Sequence, residues 1–321
     1  MTSLSLIQDM GTRPFRKKEG NFRLIDDTSY MTFTRTGDQF GIDSGGDLVK
    51  STTDNAAFVF GEGVLLEGAR TNLFLNSFVP VTQTVTVTAV PHTLTVKGTG
   101  SITVSGVGAG TSSEGSPLTL TPTAGGLICT ITGSLDNVNL EAASFGSSFI
   151  ETFGATATRS ATSLTRAWPF PKNGISGQIK VRPQFDDTDN KPSTEAGLLA
   201  LYSSSTNFLQ LIYHSTTGRI TLNKRVSAGT QVFLDQSANT YNKGDLLNIR
   251  FKQDTSGIHL WINGLGKISN TSGDAPIDFS EVLNSIAGDA KAGNINQSFQ
   301  TVESQRIWNE AKSDDFLESL T

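Results

Sequence analysis

Thr84-Val85-Thr86-Val87-Thr88 alternates with a period of two, a pattern that a strand satisfies and a helix does not. Successive side chains of a strand point to opposite faces, so the run puts valine on one face and threonine on the other. The theme returns at Thr93-Leu94-Thr95-Val96, Ser101-Ile102-Thr103-Val104, Leu118-Thr119-Leu120 and Cys129-Thr130-Ile131-Thr132, with glycine-rich turns at 98–100, 106–110 and 124–126. Short β-branched strands repeating every roughly 8–12 residues predict a small β-sandwich over 79–158.

A Ser/Thr/Ala linker is expected at 157–164, and Trp168-Pro169-Phe170-Pro171 marks the entry to a second β module over 165–321. Strands are expected at 175–181, 197–202, 208–214, 219–226, 231–234, 246–251 and 258–262, the last pair a hairpin that ends on the Asn263-Gly264 turn. Ser313 followed by Asp314 and Asp315 predicts an N-cap and an acid-rich first turn, hence a short C-terminal helix. Before residue 60 periodicity is weak. Strands are expected only at 22–25 and 31–35, and such a stretch builds no core of its own, so 1–78 reads as an attachment arm and joint.

At 321 residues the chain exceeds the roughly 250–300 at which a single core stops growing, in keeping with two modules and an appendage. Only 17% of residues are charged, and Thr, Ser, Gly and Asn fill the surface instead, which tilts towards an extracellular or particle-surface β-protein. The net charge of −5, with one short basic run at Arg13–Lys18, argues against nucleic acid as a partner. One cysteine, Cys129, excludes an intrachain disulfide and reads as a small core residue. The first ten residues lack the features of a secretory signal and no run reaches the ~18 apolar residues of a membrane helix, so the expectation is synthesis in the cytoplasm and no membrane partner.

Between arm and sandwich lies Gly63-Val64-Leu65-Leu66-Glu67-Gly68-Ala69-Arg70-Thr71-Asn72-Leu73-Phe74-Leu75-Asn76-Ser77. It reads as a short buried ribbon docking one region onto the next. Arg70, set among apolar residues, needs backbone carbonyls or a carboxylate as partner, the alternative being an arginine that binds a ligand.

This run resembles the signature G-L-L-I-E-x-A-R-T-N-L-L-x-N-S of tailed-bacteriophage head-spike, head-fibre and tail-fibre-like virion proteins. Leu66, Glu67, Ala69, Arg70, Thr71, Asn72, Leu73, Asn76 and Ser77 fall in step, and the sequence departs at Gly68 and Phe74. Ser148-Phe149-Ile150-Glu151-Thr152 resembles the S-Y-I-x-T that closes the sandwich in those proteins. The second module resembles concanavalin A-like, laminin-G-type jelly rolls through its 247–264 hairpin and its strand-then-helix ending. The resemblance implies an all-β chain with an irregular N-terminal arm, a small β-sandwich and a lectin-like jelly roll. It implies a structural joint at Glu67, Arg70, Asn72 and Asn76. It also implies a non-enzymatic virion protein on the capsid or tail, a homo-oligomer (a trimer), adhering to host-surface glycan. The alternatives are a depolymerase acting on that glycan and a bacterial carbohydrate-binding adhesin.

Candidate chemistry is sparse. His92, His214 and His259 lie far apart in strand patterns, without metal-site spacing. No G-x-S-x-G elbow precedes a helix. The glucanase relatives of the jelly roll carry E-x-D-x-x-E on one strand, and no strand here has it. Asp186, Asp187 and Asp189 form an acidic loop that offers oxygen ligands for Ca²⁺, the alternative being a solvated turn. Tyr202, Tyr213 and Tyr241 are the candidate aromatic faces for a glycan.

Overall fold

The computed structural model describes residues 5–9, 21–24, 27–168, 174–189, 195–204, 207–214, 219–226, 231–236, 241–272, 282–287, 299–308 and 310–320. Their regular structure is β-strand apart from one helix at Asp314–Glu318. The all-β expectation holds.

Two large sheets form the main body. The ten-stranded sheet runs Ile268–Asn270, Gly257–Ile262, Leu247–Asp254, Ile175–Pro183, Phe299–Trp308, Gly63–Glu67, Ala57–Val59, Gln39–Ile42, Leu48–Ser51, with Ser5–Asp9 also paired to Phe299–Trp308. The eight-stranded sheet runs Asn21–Leu24, Asp27–Thr34, Ser163–Trp168, Val282–Ala287, Glu195–Ser204, Asn207–His214, Ile220–Arg225, Val232–Asp235. Alternate residues fill one core between them: Ile179, Ile249, Phe251 and Leu260 from the first sheet, Leu199, Leu209, Leu211 and Leu222 from the second. The helix covers the other face of the ten-stranded sheet. Its Leu317 packs with Trp261 and Trp308, and the Arg250 guanidinium donates to the Leu317 and Glu318 carbonyls at its C-terminal end. Ser313 caps its N-terminus by accepting from the Phe316 amide, as the sequence predicts.

A smaller sandwich is built from residues 83–141. Its four-stranded sheet (Gly110–Ser113, Ser101–Gly106, Gly125–Thr132, Gln83–Val87) packs on a three-stranded one (Leu118–Leu120, His92–Lys97, Asn137–Glu141). Val85 and Val87 turn into its separate core beside Leu94, Ile102, Val104, Leu127 and Cys129, while Thr84 and Thr86 stay exposed. Burial pushes the Cys129 thiol up to about 11, so it remains a neutral core group.

The connectivity differs from a simple arm–sandwich–jelly roll order. The described part of 1–67, expected as an arm, is woven into both large sheets: Asp27–Thr34 pairs with Ser163–Trp168, and Gly63–Glu67 pairs with Phe299–Trp308. Every residue of Gly63–Glu67 is buried, so this apolar ribbon needs a neighbour on each edge and a layer on each face. The expected linker at 157–164 is structured too. Ala157–Arg159 pairs with Arg70–Asn72, and Ser163–Trp168 enters the eight-stranded sheet. The small sandwich is therefore an insertion: the chain leaves the ten-stranded sheet at Glu67 and returns into the eight-stranded one at Ser163. Pro169–Pro171 lie outside the described residues.

Candidate functional site

The signature run forms the joint between the inserted sandwich and the large body, and Glu67 is its hub. The Glu67 carboxylate forms an ion pair with Arg159 Nη1 at 2.9 Å and accepts from Gln39 Nε2 at 2.7 Å, and from the Ser148 amide at 2.7 Å and hydroxyl at 2.5 Å. Neither charged side chain of the Glu67–Arg159 pair is exposed. Burial pushes the Glu67 carboxyl up, and the Arg159 charge with the Ser148 hydrogen bonds outweighs it, holding the group below its usual range. Arg35 extends the network: it donates to Gln39 Oε1 and to the carbonyls of Gly37, Ser51 and Thr52. Burial, reinforced by the Arg159 charge, lowers it to about 10.

Arg70 is buried as anticipated, but aromatic rings surround it. Its guanidinium lies 4.2 Å from the Phe299 ring centre and 5.0 Å from that of Phe145, a double cation–π arrangement. One carbonyl, that of Ala69, accepts from Nη1 at 3.4 Å. The nearby anion is Glu141, whose carboxylate accepts from the amide and hydroxyl of Ser147. Burial raises the Glu141 carboxyl, only partly offset by Arg70 and Ser147. The arginine that pairs with Glu67 is thus Arg159, which sequence reasoning did not single out; its position just past the S-F-I-E-T run is the only local signal.

Asn72 uses its whole amide. Nδ2 donates to the Val138 and Ile150 carbonyls, while Oδ1 accepts from the Phe74 and Leu140 amides. Ser77 and Thr152 exchange hydrogen bonds through both backbone amides and hydroxyls. Asn76 adopts a left-handed φ of 52° and accepts from the Gly154 amide. Glu67 and Asn72 thus tie the entering strand to the S-F-I-E-T segment, Asn76 bonds to Gly154 just beyond it, and Arg70 lies between the Phe145 and Phe299 rings beside them.

Between the insertion and the ten-stranded sheet is a cleft of about 350 Å³. One wall is apolar, from Phe40, Ile42, Leu48, Val59 and Leu65. The other presents Thr95, Lys97, Asn137 and Asn139, paired residues on one face of the three-stranded sheet. Arg182, Lys243 and Glu62 add charge to the lining.

The remaining candidates fall elsewhere. Tyr213 and Tyr241 are 0% and 1% exposed and stack with Phe185 inside the large core, so their rings offer no face to a glycan; Tyr202 is half-buried on the eight-stranded sheet. Tyrosine in an alternating strand carries no mark of which face it takes. In the acidic loop, Asp189 Oδ2 accepts from the Asp186 amide and Asp186 Oδ1 from the Lys243 amide, and no group of three metal-ligating side chains converges among the described residues. His92, His214 and His259 stay apart on different strands. His259 sits between Ser269 Oγ at 2.8 Å from Nδ1 and Asp254 Oδ1 at 3.3 Å from Nε2, where Ser256 also reaches it. Lys252 pairs with the same Asp254 and with Asp314 of the helix, so this cluster knits the hairpin to the helix.

No protein-family model and no curated protein matches the chain. Among solved structures it is similar to the NanB sialidase of Streptococcus pneumoniae (13% identity over 49% of this chain and 26% of that one, TM-score 0.39). It is also similar to the CBM40 of the Ruminococcus gnavus IT-sialidase (15%, 47% and 84%, 0.38) and to domain 4 of AbnA, a GH43 extracellular arabinanase of Geobacillus stearothermophilus (14%, 50% and 72%, 0.39). The chain spans about a quarter of the length of the NanB sialidase it matches. No helix among the described residues is long and apolar enough to cross a membrane.

Proposed function

We propose that this chain is a structural protein of a tailed-bacteriophage virion, a head spike or fibre or a tail fibre, that acts without catalysis. One observation carries the reading. The residues that match the virion-protein signature, Glu67, Arg70, Asn72, Asn76 and Ser77, are the ones spent on anchoring the inserted sandwich, together with the matching segment Ser148–Thr152. A motif whose polar side chains serve anchoring is suited to a part that is held out from a particle. Glu67 and Glu141 are closed to solvent and serve the joint, which favours a binding role over hydrolysis. In this reading the chain assembles as a homo-oligomer, a trimer, attached to capsid or tail proteins, and the large sandwich adheres to host-surface glycan.

Immunogold labelling of virions with antibody against residues 175–262, beside particles lacking the gene, tests it. Label on the capsid identifies a head spike or fibre. Label at the tail, with adsorption lost on deletion, identifies a receptor-binding fibre. Particles without label overturn the virion assignment, and release of reducing ends from capsule or lipopolysaccharide by the purified chain overturns the non-enzymatic one.

A further inference from the structure

Asn139 is 2% exposed, lines the cleft, and neither of its amide atoms has a hydrogen-bond partner. An unsatisfied buried amide is costly, so native structures keep such groups where water or a ligand completes them. The cleft around it is large enough for a ligand of one or two sugar rings, since small-molecule sites begin at about 300 Å³.

Its two walls differ in a way that specifies the occupant. The large sheet contributes an apolar surface through Phe40, Ile42, Leu48 and Leu65, which suits a face made of C–H groups. The sandwich contributes hydroxyl and amide groups from Thr95, Asn137 and Asn139. Charge is uneven: Lys97, Arg182 and Lys243 stand against the single carboxylate Glu62, which already accepts from the Thr301 hydroxyl. Part of that positive charge is held by protein groups, since Lys97 donates to the Gly46 carbonyl and Arg182 donates to the Gly244 carbonyl and lies 3.8 Å from Glu303. Lys243 is exposed at the rim.

We infer that the cleft binds a carboxylated mono- or disaccharide, with the ring's C–H face on the apolar wall. Its hydroxyls complete the Asn139 amide and its carboxylate meets Lys243 and Lys97. The site belongs to the junction of the insertion, not to the large sandwich alone, and the inference does not depend on where the protein sits in a particle.

The test is calorimetric titration of the purified full chain with the disaccharides of galacturonate and of glucuronate and with free N-acetylneuraminate. Each is paired with a neutral sugar of the same ring size: galactobiose, cellobiose and N-acetylglucosamine. Saturable binding of at least one acid, at least tenfold tighter than its neutral partner, is expected. Asn139→Ala and the rim variant Lys243→Glu should each weaken it about tenfold or more, the loss of about 1.4 kcal/mol. Because the Asn139 amide makes no protein hydrogen bond, Asn139→Ala should melt within a few degrees of the parent, and Lys243→Glu at an exposed position supplies a second reading in any case. Equal binding of acidic and neutral sugars, no saturation by any acid at about 10 mM (weaker than about 3 kcal/mol of binding), or binding untouched by both substitutions overturns the proposal.

Discussion

At the scale of single residues, the joint holds two buried carboxylates whose environments pull in opposite directions. Glu67 receives three hydrogen bonds and a full countercharge; Glu141 receives two from Ser147 and faces an arginine already stacked between rings. Removing one partner of a buried ion pair leaves the other charge stranded, at a cost of about 3–5 kcal/mol. Glu67→Ala and Arg159→Ala should each lower stability by that order in urea unfolding. Because the Glu67 carboxyl is lowered in the folded state, its contribution is present above the ordinary carboxylate value of 4.5 and is lost as pH falls through the lowered one. Glu141 is raised, so its contribution is present below 4.5 and is lost as pH rises through its folded value. The neutral isostere Glu141→Gln should therefore melt no lower than the parent at pH 7, and a lower melting temperature there would refute this. Arg70→Ala removes both ring contacts and should cost about 2–3 kcal/mol. Arg70 was legible as a buried residue because a guanidinium among leucines must be sheltered. Its aromatic shelter was not, since Phe145 and Phe299 come from distant parts of the chain, and no spacing rule links Glu67 with Arg159.

Single elements divide in the same way. Strands such as Gln83–Val87 and Leu247–Asp254 announce themselves by alternation, and the Ser313 cap announces the helix, because each is decided by neighbours in sequence. Gly63–Glu67 reads as buried but does not name its partner. That partner, Phe299–Trp308, approaches so closely at Gly63 that an added Cβ would stand 2.0 Å from the Val302 carbonyl oxygen, and φ there is +113°. Gly63→Ala should destabilise the body by about 2–4 kcal/mol, read as a shift in the urea midpoint. Elsewhere on the same sheet, the helix shields Trp261 and Trp308, and Trp261 Nε1 donates to Glu318. Truncation after Ala311 should expose both indoles and shift tryptophan emission to longer wavelength. Unchanged emission would mean that the helix contributes no cover.

For the whole molecule, composition and turn spacing point to an all-β chain, as the described residues are, while the nesting of the small sandwich inside the large sheets depends on non-local pairing that no local pattern encodes. The insertion has its own core, separate from that of the large sheets, and its two ends meet in the Arg70–Asn72 and Ala157–Arg159 pair. A fragment of residues 70–159 should accordingly retain dispersed amide resonances of a folded β-protein, and collapse of that dispersion would show that the large body is needed to hold it. The position of the cleft follows from this nesting, because its two walls come from modules that meet beside that root, where Lys97 also reaches the Gly46 carbonyl.

The same root determines how the protein responds to being pulled. Tension applied to the small sandwich leaves it through two side-by-side strands and reaches the body at Glu67, where Phe299–Val302 pairs alongside Gly63–Glu67. A pull along that strand loads its hydrogen bonds together, in shear, while the Glu67–Arg159 pair ties the outgoing strand to the returning one. The Ser5–Asp9 strand is placed differently: Ser5 faces Trp308, so separating the described chain ends would open that ladder one bond at a time. Traction on the insertion is thus resisted collectively, whereas traction on the ends is not.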